Sequence, residues 1–238
     1  MSGSVLVVSA HAADFVWRAA GAIALRTRCG DRVRIVCLSY GERGESQEIW
    51  KQPAMTVERV KQIRREEAEE AAAALGAEIA FFDCGDYPIE PGESTIPRLV
   101  AEFRELQPET VLAHSPHDPY NPDHPAAHEL TMRSRVYAQA AGYPAPGRQL
   151  GAPPVFYFEP HQPEQCRFNP QVLLDITSVF DAKMKAIEAI RTQKHMWDYY
   201  ADLARRRGVQ AVRNSGNKEI KYAEAYERAY PQVASDLS

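Results

Sequence analysis

The sequence predicts an α/β fold: a mainly parallel sheet with helices on both faces. Two observations lead there. Short apolar runs recur along the chain, and most are followed by a segment of helical periodicity. The length of 238 residues suits one α/β domain spanning 1–238, large enough to bury a core without staples.

Val5 to Val8 is an apolar run of the kind buried on both faces of a parallel sheet. His11 to Asp14 turns the chain, Phe15 to Arg28 reads as a helix ended by Gly30, and Val33 to Ser39 reads as the second strand. Together they make a βαβ unit, whose crossover is expected to be right-handed. Tyr40 to Thr56 is a polar loop longer than a typical connection. Val57 to Leu75 reads as a charged, alanine-rich helix stopped by Gly76, and Glu78 to Asp83 as strand three. Ile96 to Leu106 (helix), Thr110 to His114 (strand) and a helix from Pro125 to Ala140 follow. Tyr143 to Pro154 is rich in proline and glycine and reads as a flexible connection. Val155 to Glu159 and Val172 to Ile176 read as strands, Val179 to Arg207 as one helix, and Tyr222 to Ala229 as a short helix in a polar tail. There is no Gly-x-Gly-x-x-Gly after the first strand, so the layers are Rossmann-like without the dinucleotide fingerprint.

A formal net charge of −4 argues against a nucleic-acid footprint. The four cysteines (Cys29, Cys37, Cys84, Cys166) contain no C-x-x-C pair and read as reduced thiols. The first residues carry no basic stretch, and the apolar run is too short for a signal or a membrane span, so a cytoplasmic protein is expected.

In open α/β sheets ligands gather at the carboxyl ends of the strands. His11 and Asp14 follow strand one; His114, His117, Asp118, Asp123, His124 and His128 follow strand four. Zinc takes imidazole nitrogen and carboxylate oxygen and keeps an open position for chemistry. His11, Asp14 and one histidine of the second cluster supply such a set. Asp14 can equally N-cap the helix behind it; the meeting of two clusters at one sheet edge is what favours a metal.

These residues carry a family resemblance. His11-Ala12-Ala13-Asp14 resembles the H-[PA]-D-D signature of the LmbE/PIG-L superfamily, mostly zinc-dependent deacetylases of N-acetylglucosaminyl substrates. Arg64-Arg65-Glu66-Glu67-Ala68 resembles its R-x-x-E-A helix, and Asn121-Pro122-Asp123-His124 its H-P-D-H. The helix with Lys183, Lys185 and Gln193 resembles its C-terminal segment. The resemblance implies an LmbE/PIG-L-like fold and zinc held by His11, Asp14 and His124. It also implies that Asp123 orients a ligand and that Arg64 reaches the site.

Two positions depart from the deacetylase pattern. The family's general-base aspartate is here Ala13, which cannot take a proton. The histidine that stabilises the oxyanion is here Asn121. All three ligand positions remain. The 4-oxalomesaconate hydratases of gallate catabolism form a branch with such departures. His11 to Arg18, Gly41 to Ser46 and Ser115 to His124 are similar to that branch. The resemblance implies hydration of 4-oxalomesaconate, or 4-carboxy-2-hydroxymuconate, to 4-carboxy-4-hydroxy-2-oxoadipate. The alternative is an amino-sugar deacetylase with a relocated base.

Hydration needs a base, an acid and a group to hold enolate charge. Glu48, in the long loop, and His161, after strand five, are the catalytic candidates, with Glu45 the substitute for Glu48. Their plainer readings are a solvated loop carboxylate and a turn histidine. A small tricarboxylate substrate calls for guanidinium forks; Arg43 and Arg64 are the expected ones, with Arg18 a further one, and Asn121 is expected to touch substrate. His114, His117 and His128 are candidates to support the site, Tyr120 and Trp50 for packing or a lid, and His195 for structure. No nucleic-acid or membrane partner is expected, and a homo-oligomer is.

Overall fold

The computed structural model describes residues 3–236, so residues 1, 2, 237 and 238 of the expected domain lie outside the described residues. One seven-stranded sheet organises them, in the order β3-β2-β1-β4-β5-β7-β6. Its strands are β1 (Ser4–Ser9), β2 (Arg32–Cys37), β3 (Glu78–Phe81), β4 (Thr110–Ala113), β5 (Val155–Phe158), β6 (Val172–Asp175) and β7 (Ala223–Arg228). The first five are parallel, and β7 runs antiparallel between β5 and β6.

The helices are α1 (Asp14–Arg28), α2 (Gln47–Trp50), α3 (Val57–Ala74), α4 (Thr95–Leu106), α5 (Asp123–Gln139), α6 (Phe180–Ala189) and α7 (Trp197–Ser215). The alternation of β1 shows why the sheet is covered twice. Val5 and Val7 join a core with α1, α3, α6 and α7, whereas Leu6 and Val8 join a second core with α4 and α5. The helices therefore lie on both faces, as the sequence predicts. All four cysteines are free. Among the described residues no helix is long and apolar enough to cross a membrane.

Four expectations change. The long loop from Tyr40 contains a short helix, α2. The helix expected over 179–207 is broken between α6 and α7, where Ile190 (ψ 73°) and Gln193 (φ −127°, ψ 42°) leave helical geometry. The break has a cause in side chains: Thr192 donates its main-chain N–H and its hydroxyl to the Glu67 carboxylate on α3, at 2.9 and 2.6 Å. Gly208 does not end this helix. It marks the close approach of α7 to Lys221, whose carbonyl oxygen lies 2.2 Å from where a Cβ would stand, and Gly216 (φ +73°) forms the C-cap instead.

The tail helix expected over 222–229 is the strand β7. Alanine and glutamate favour a helix locally, yet this segment pairs on both sides, with β5 and with β6. Tertiary pairing overrides propensity.

Candidate functional site

Strands β1 and β4 are parallel neighbours, and the helices that follow them pack on opposite faces, α1 on one and α5 on the other. This is a switch point, and a crevice opens at the carboxyl ends of the two strands. The turn after β1 is tied by Ser9, whose hydroxyl donates to the His11 carbonyl and accepts the Phe15 N–H. The His11 N–H donates to Asp14 Oδ2 at 2.8 Å. Asp14 thus enters α1 with its carboxylate turned back towards His11. Across the crevice α5 starts at Asp123, two residues before the expected Pro125, so His124 sits in its first turn.

His11, Asp14 and His124 are all buried and offer one ligand atom each within 4.8 Å of one another. His11 Nδ1 lies 3.2 Å from Asp14 Oδ2, and His124 Nε2 lies 3.5 Å from Asp14 Oδ1. The other ring nitrogens are occupied: His124 Nδ1 lies 2.7 Å from Asp118 Oδ2, and His11 Nε2 lies 3.2 Å from Asp123 Oδ2. Carboxylates placed behind histidines in this way select the tautomer whose lone pair faces inward. Asp123 is itself held by the N–H groups of Tyr87 and Ile89.

His124 Nε2 is buried and has no hydrogen-bond partner. A buried acceptor without a donor is unusual, and a cation at the triad satisfies it. Charge agrees. Burial lowers the His11 imidazole, but hydrogen bonds to Asp123 and Asp14 win and raise it to about 10. Burial raises Asp14, but His124 and His114 hold its carboxyl well below the usual range. The pocket favours positive charge, and its two nitrogens and one carboxylate oxygen form a donor set that suits zinc.

His114 differs. Its Nε2 accepts the Ala10 N–H at 3.0 Å, its ring stacks on His124, and burial followed by the neighbouring His124 ring lowers it to about 3. It is a neutral wall of the triad.

The triad opens into a cleft of about 260 Å³. Glu45 reaches deep into it, accepting from Asn121 Nδ2 at 3.0 Å and from Gln193 Nε2 at 3.1 Å, with Oε1 4.0 Å from His11 Nδ1. Glu48 lines the same cleft nearer solvent and pairs with exposed Lys51 at 2.5 Å. His161 lines the opposite wall with its Nδ1 buried and unpartnered, and burial lowers it below the usual histidine value. Its carbonyl accepts the Tyr199 hydroxyl.

Both expected substrate arginines lie outside the cleft wall. Arg43 is exposed; its Nη1 donates to the Asp86 carbonyl, and its N–H to the Asp86 carboxylate, so it fastens the loop. Arg64 is buried beneath the floor, where it donates to the Tyr40 carbonyl and the Thr192 hydroxyl. It supports the break that carries Gln193 into the cleft. The arginine that does line the cleft is Arg18, four residues after Asp14 on α1. That i, i+4 spacing was its signal in the sequence.

Other expectations sort by place. His195, expected to be structural, is exposed and lines the cleft, and Tyr120 is exposed there. Trp50 packs by donating to the Glu42 carbonyl. His128 Nδ1 bonds the His114 carbonyl, and His117 lies in a separate shallow groove with Arg167. Tyr87, Gln193 and the stacked pair Trp17–Tyr200 line the cleft unforeseen. In the sequence Gln193 is marked only as part of the family's C-terminal segment; its place in the cleft follows from the Thr192–Glu67 bonds.

Residues 6–134 match the family described as PIG-L: GlcNAc-PI de-N-acetylase, and the chain belongs to that family. Within it, the chain is 52% identical over 238 residues to the 4-oxalmesaconate hydratase of Pseudomonas putida KT2440, covering 99% of this chain and 92% of that protein. The crystal structure of GalB, the 4-carboxy-2-hydroxymuconate hydratase from Pseudomonas putida KT2440, superposes with a TM-score of 0.97 at 52% identity over 99% of this chain and 100% of that one. The N,N'-diacetylchitobiose deacetylase from Pyrococcus horikoshii shares the fold, with a TM-score of 0.75 at 23% identity over 94% of this chain and 83% of that one.

Proposed function

We propose that this chain is a zinc-dependent hydro-lyase that adds water to the carbon–carbon double bond of 4-oxalomesaconate, or its tautomer 4-carboxy-2-hydroxymuconate. The product is 4-carboxy-4-hydroxy-2-oxoadipate. The observation that carries this reading is the 52% identity to the Pseudomonas putida hydratase along 99% of the chain. The site agrees, because Ala13 puts a methyl group where deacetylases of this family carry their base.

His11, Asp14 and His124 would hold the zinc, which supplies a Lewis acid to polarise a bound oxygen. Proton transfer then falls to other groups of the cleft. Glu48 is bonded only to Lys51, and exposed pairs of this kind are weak, so its carboxylate is free to turn to substrate. His161 presents an unpartnered, neutral Nδ1. One of the two takes a proton from the attacking water, and the other delivers a proton to the carbon that accepts it. Glu45 has each oxygen committed to an amide and holds Asn121 and Gln193 in place. Asn121 keeps a second amide hydrogen for a substrate oxygen.

The test is incubation with 4-carboxy-2-hydroxymuconate, followed by ultraviolet absorbance. Loss of the conjugated chromophore is expected. An inert diene together with acetate released from an N-acetylated sugar would replace this reading by a deacetylase with a relocated base.

A further inference from the structure

We infer that Arg18 is the carboxylate-binding residue of the cleft and that it selects di- and tricarboxylates over ligands with one carboxylate. Among the residues lining the cleft it is the one arginine or lysine. The carboxylates of the wall are Asp14, Glu45, Glu48 and Asp118, and its remaining groups are mainly amides, histidines and aromatic rings. A polyanion entering here is repelled by four carboxylates and finds a permanent side-chain positive charge at Arg18.

The guanidinium is built to stay. Arg18 is 7% exposed, and its Cζ lies over the Phe158 ring at 6.0 Å. Its Nε is buried with no hydrogen-bond partner; the nearest anion, Asp14 Oδ1, is 3.6 Å away, beyond hydrogen-bond range. A buried charged donor without an acceptor is costly, and a carboxylate in the cleft removes that cost with the bidentate geometry that arginine favours.

The main chain beneath it is equally fixed. The Trp17 carbonyl accepts Lys183 Nζ, and the Tyr226 hydroxyl oxygen lies against the Arg18 carbonyl at 3.4 Å. One turn further on, the Gly21 and Ala22 N–H groups donate to Glu224. Arg18 therefore occupies a set distance from Asp14, four residues earlier on the same helix face, and that distance is the ruler by which a second carboxylate is measured.

The nature of the physiological substrate rests on the hydratase reading, but the carboxylate site does not. The experiment is calorimetric titration of the zinc-loaded protein with 2-oxoglutarate and with 2-oxobutyrate, for the wild type, Arg18→Gln and Arg18→Lys. Arg18→Gln is expected to weaken 2-oxoglutarate by about tenfold or more while moving 2-oxobutyrate by less than about twofold. Arg18→Lys should restore part of the loss, because the charge returns without the fork. Zinc content and melting temperature should stay at wild-type values. Equal weakening of both ligands, no change in either, no 2-oxoglutarate binding to the wild type, or loss of zinc would each overturn the assignment. If the wild type leaves 4-carboxy-2-hydroxymuconate intact yet binds 2-oxoglutarate through Arg18, the hydratase reading falls and the carboxylate site stands.

Discussion

The Glu224 carboxylate on β7 accepts the main-chain N–H of Gly21, in the middle of α1, at 2.7 Å across 203 residues of sequence. Lys183 Nζ donates to that same carboxylate oxygen at 2.7 Å, and the second oxygen accepts the Ala22 N–H at 2.9 Å and the Tyr226 hydroxyl at 2.7 Å. Lys183 Nζ also donates to the Trp17 carbonyl, and the Tyr226 hydroxyl oxygen lies 3.4 Å from the Arg18 carbonyl. Within a regular helix those two carbonyls are the partners of the Gly21 and Ala22 N–H groups. A buried polar cluster is thus joined to α1 directly behind the turns that carry Asp14 and Arg18. Gly21 makes this approach possible, since a Cβ there would lie 2.6 Å from Ile176 and 2.9 Å from Glu224.

Removing one member leaves its partner buried and alone, which costs about 3–5 kcal/mol. Glu224→Ala should lose that much in chemical denaturation, and Lys183→Met nearly as much. The double variant Lys183→Met/Glu224→Gln should lose less than the sum of its two single variants, because the residues act as a pair. Additive losses would show that the cluster is not coupled.

The triad predicts metal content. His11→Ala and His124→Ala should each fall from about one zinc per chain to about a tenth or less by elemental analysis, since two donors hold the ion poorly. Asp118→Asn keeps the ligands and loses the charge behind His124. Its zinc affinity should fall by about 10–100-fold, as for other groups that orient a ligand. Full zinc in His124→Ala would remove it from the ligand set.

Glu48→Gln and His161→Gln should each lower kcat by about 10²–10⁴-fold while keeping the metal. Glu45→Gln should instead act on KM by loosening Asn121 and Gln193. Burial places the His161 titration below its ordinary value of 6.5, so the limb of the kcat/KM profile that belongs to His161 should lie below pH 6.5 and vanish in His161→Gln. Stability has the same sign. The unfolded chain takes up this proton first, so stability falls as pH drops through 6.5 towards the folded value.

Glu78 supplies a second pH dependence. Hydrogen bonds from Arg32 and then Arg34 outweigh burial and lower it to about 2. A depressed carboxyl contributes stability that is present above its unfolded value of 4.5 and is lost as pH falls towards about 2. The difference in unfolding free energy between wild type and Glu78→Gln should therefore shrink steadily from pH 5 to pH 2, as read by urea titrations. A constant difference would mean that the Arg32 and Arg34 pairs contribute nothing.

Gly44 packs under the Tyr87 ring, where a Cβ would lie 2.0 Å from Tyr87 Cε2. Gly44→Ala must displace a ring that lines the cleft. It should raise KM for the muconate substrate by about tenfold or more with zinc content unchanged, on the scale of a misplaced binding group. Unaltered KM would show that Tyr87 is no part of the binding surface.

What the sequence determined by itself is the local and the periodic. Val5 to Val8 declared a strand covered on both faces, and the turn His11 to Asp14 declared one half of a site. The cluster ending in His124 declared the other half, because ligands collect at the carboxyl ends of neighbouring strands. Only the tertiary structure decided the rest. Residues 222–229 form a strand because pairing with β5 and β6 outweighs helix propensity. Gln193 enters the cleft because Glu67 captures Thr192. Arg64 bonds the Tyr40 carbonyl and the Thr192 hydroxyl and Arg43 bonds the Asp86 carbonyl, neither lining the cleft, and Arg18 is the arginine that does. The physical reason is common to all of these: a side chain's role depends on which polar groups its burial leaves within reach, and those partners come from chain segments far away in sequence.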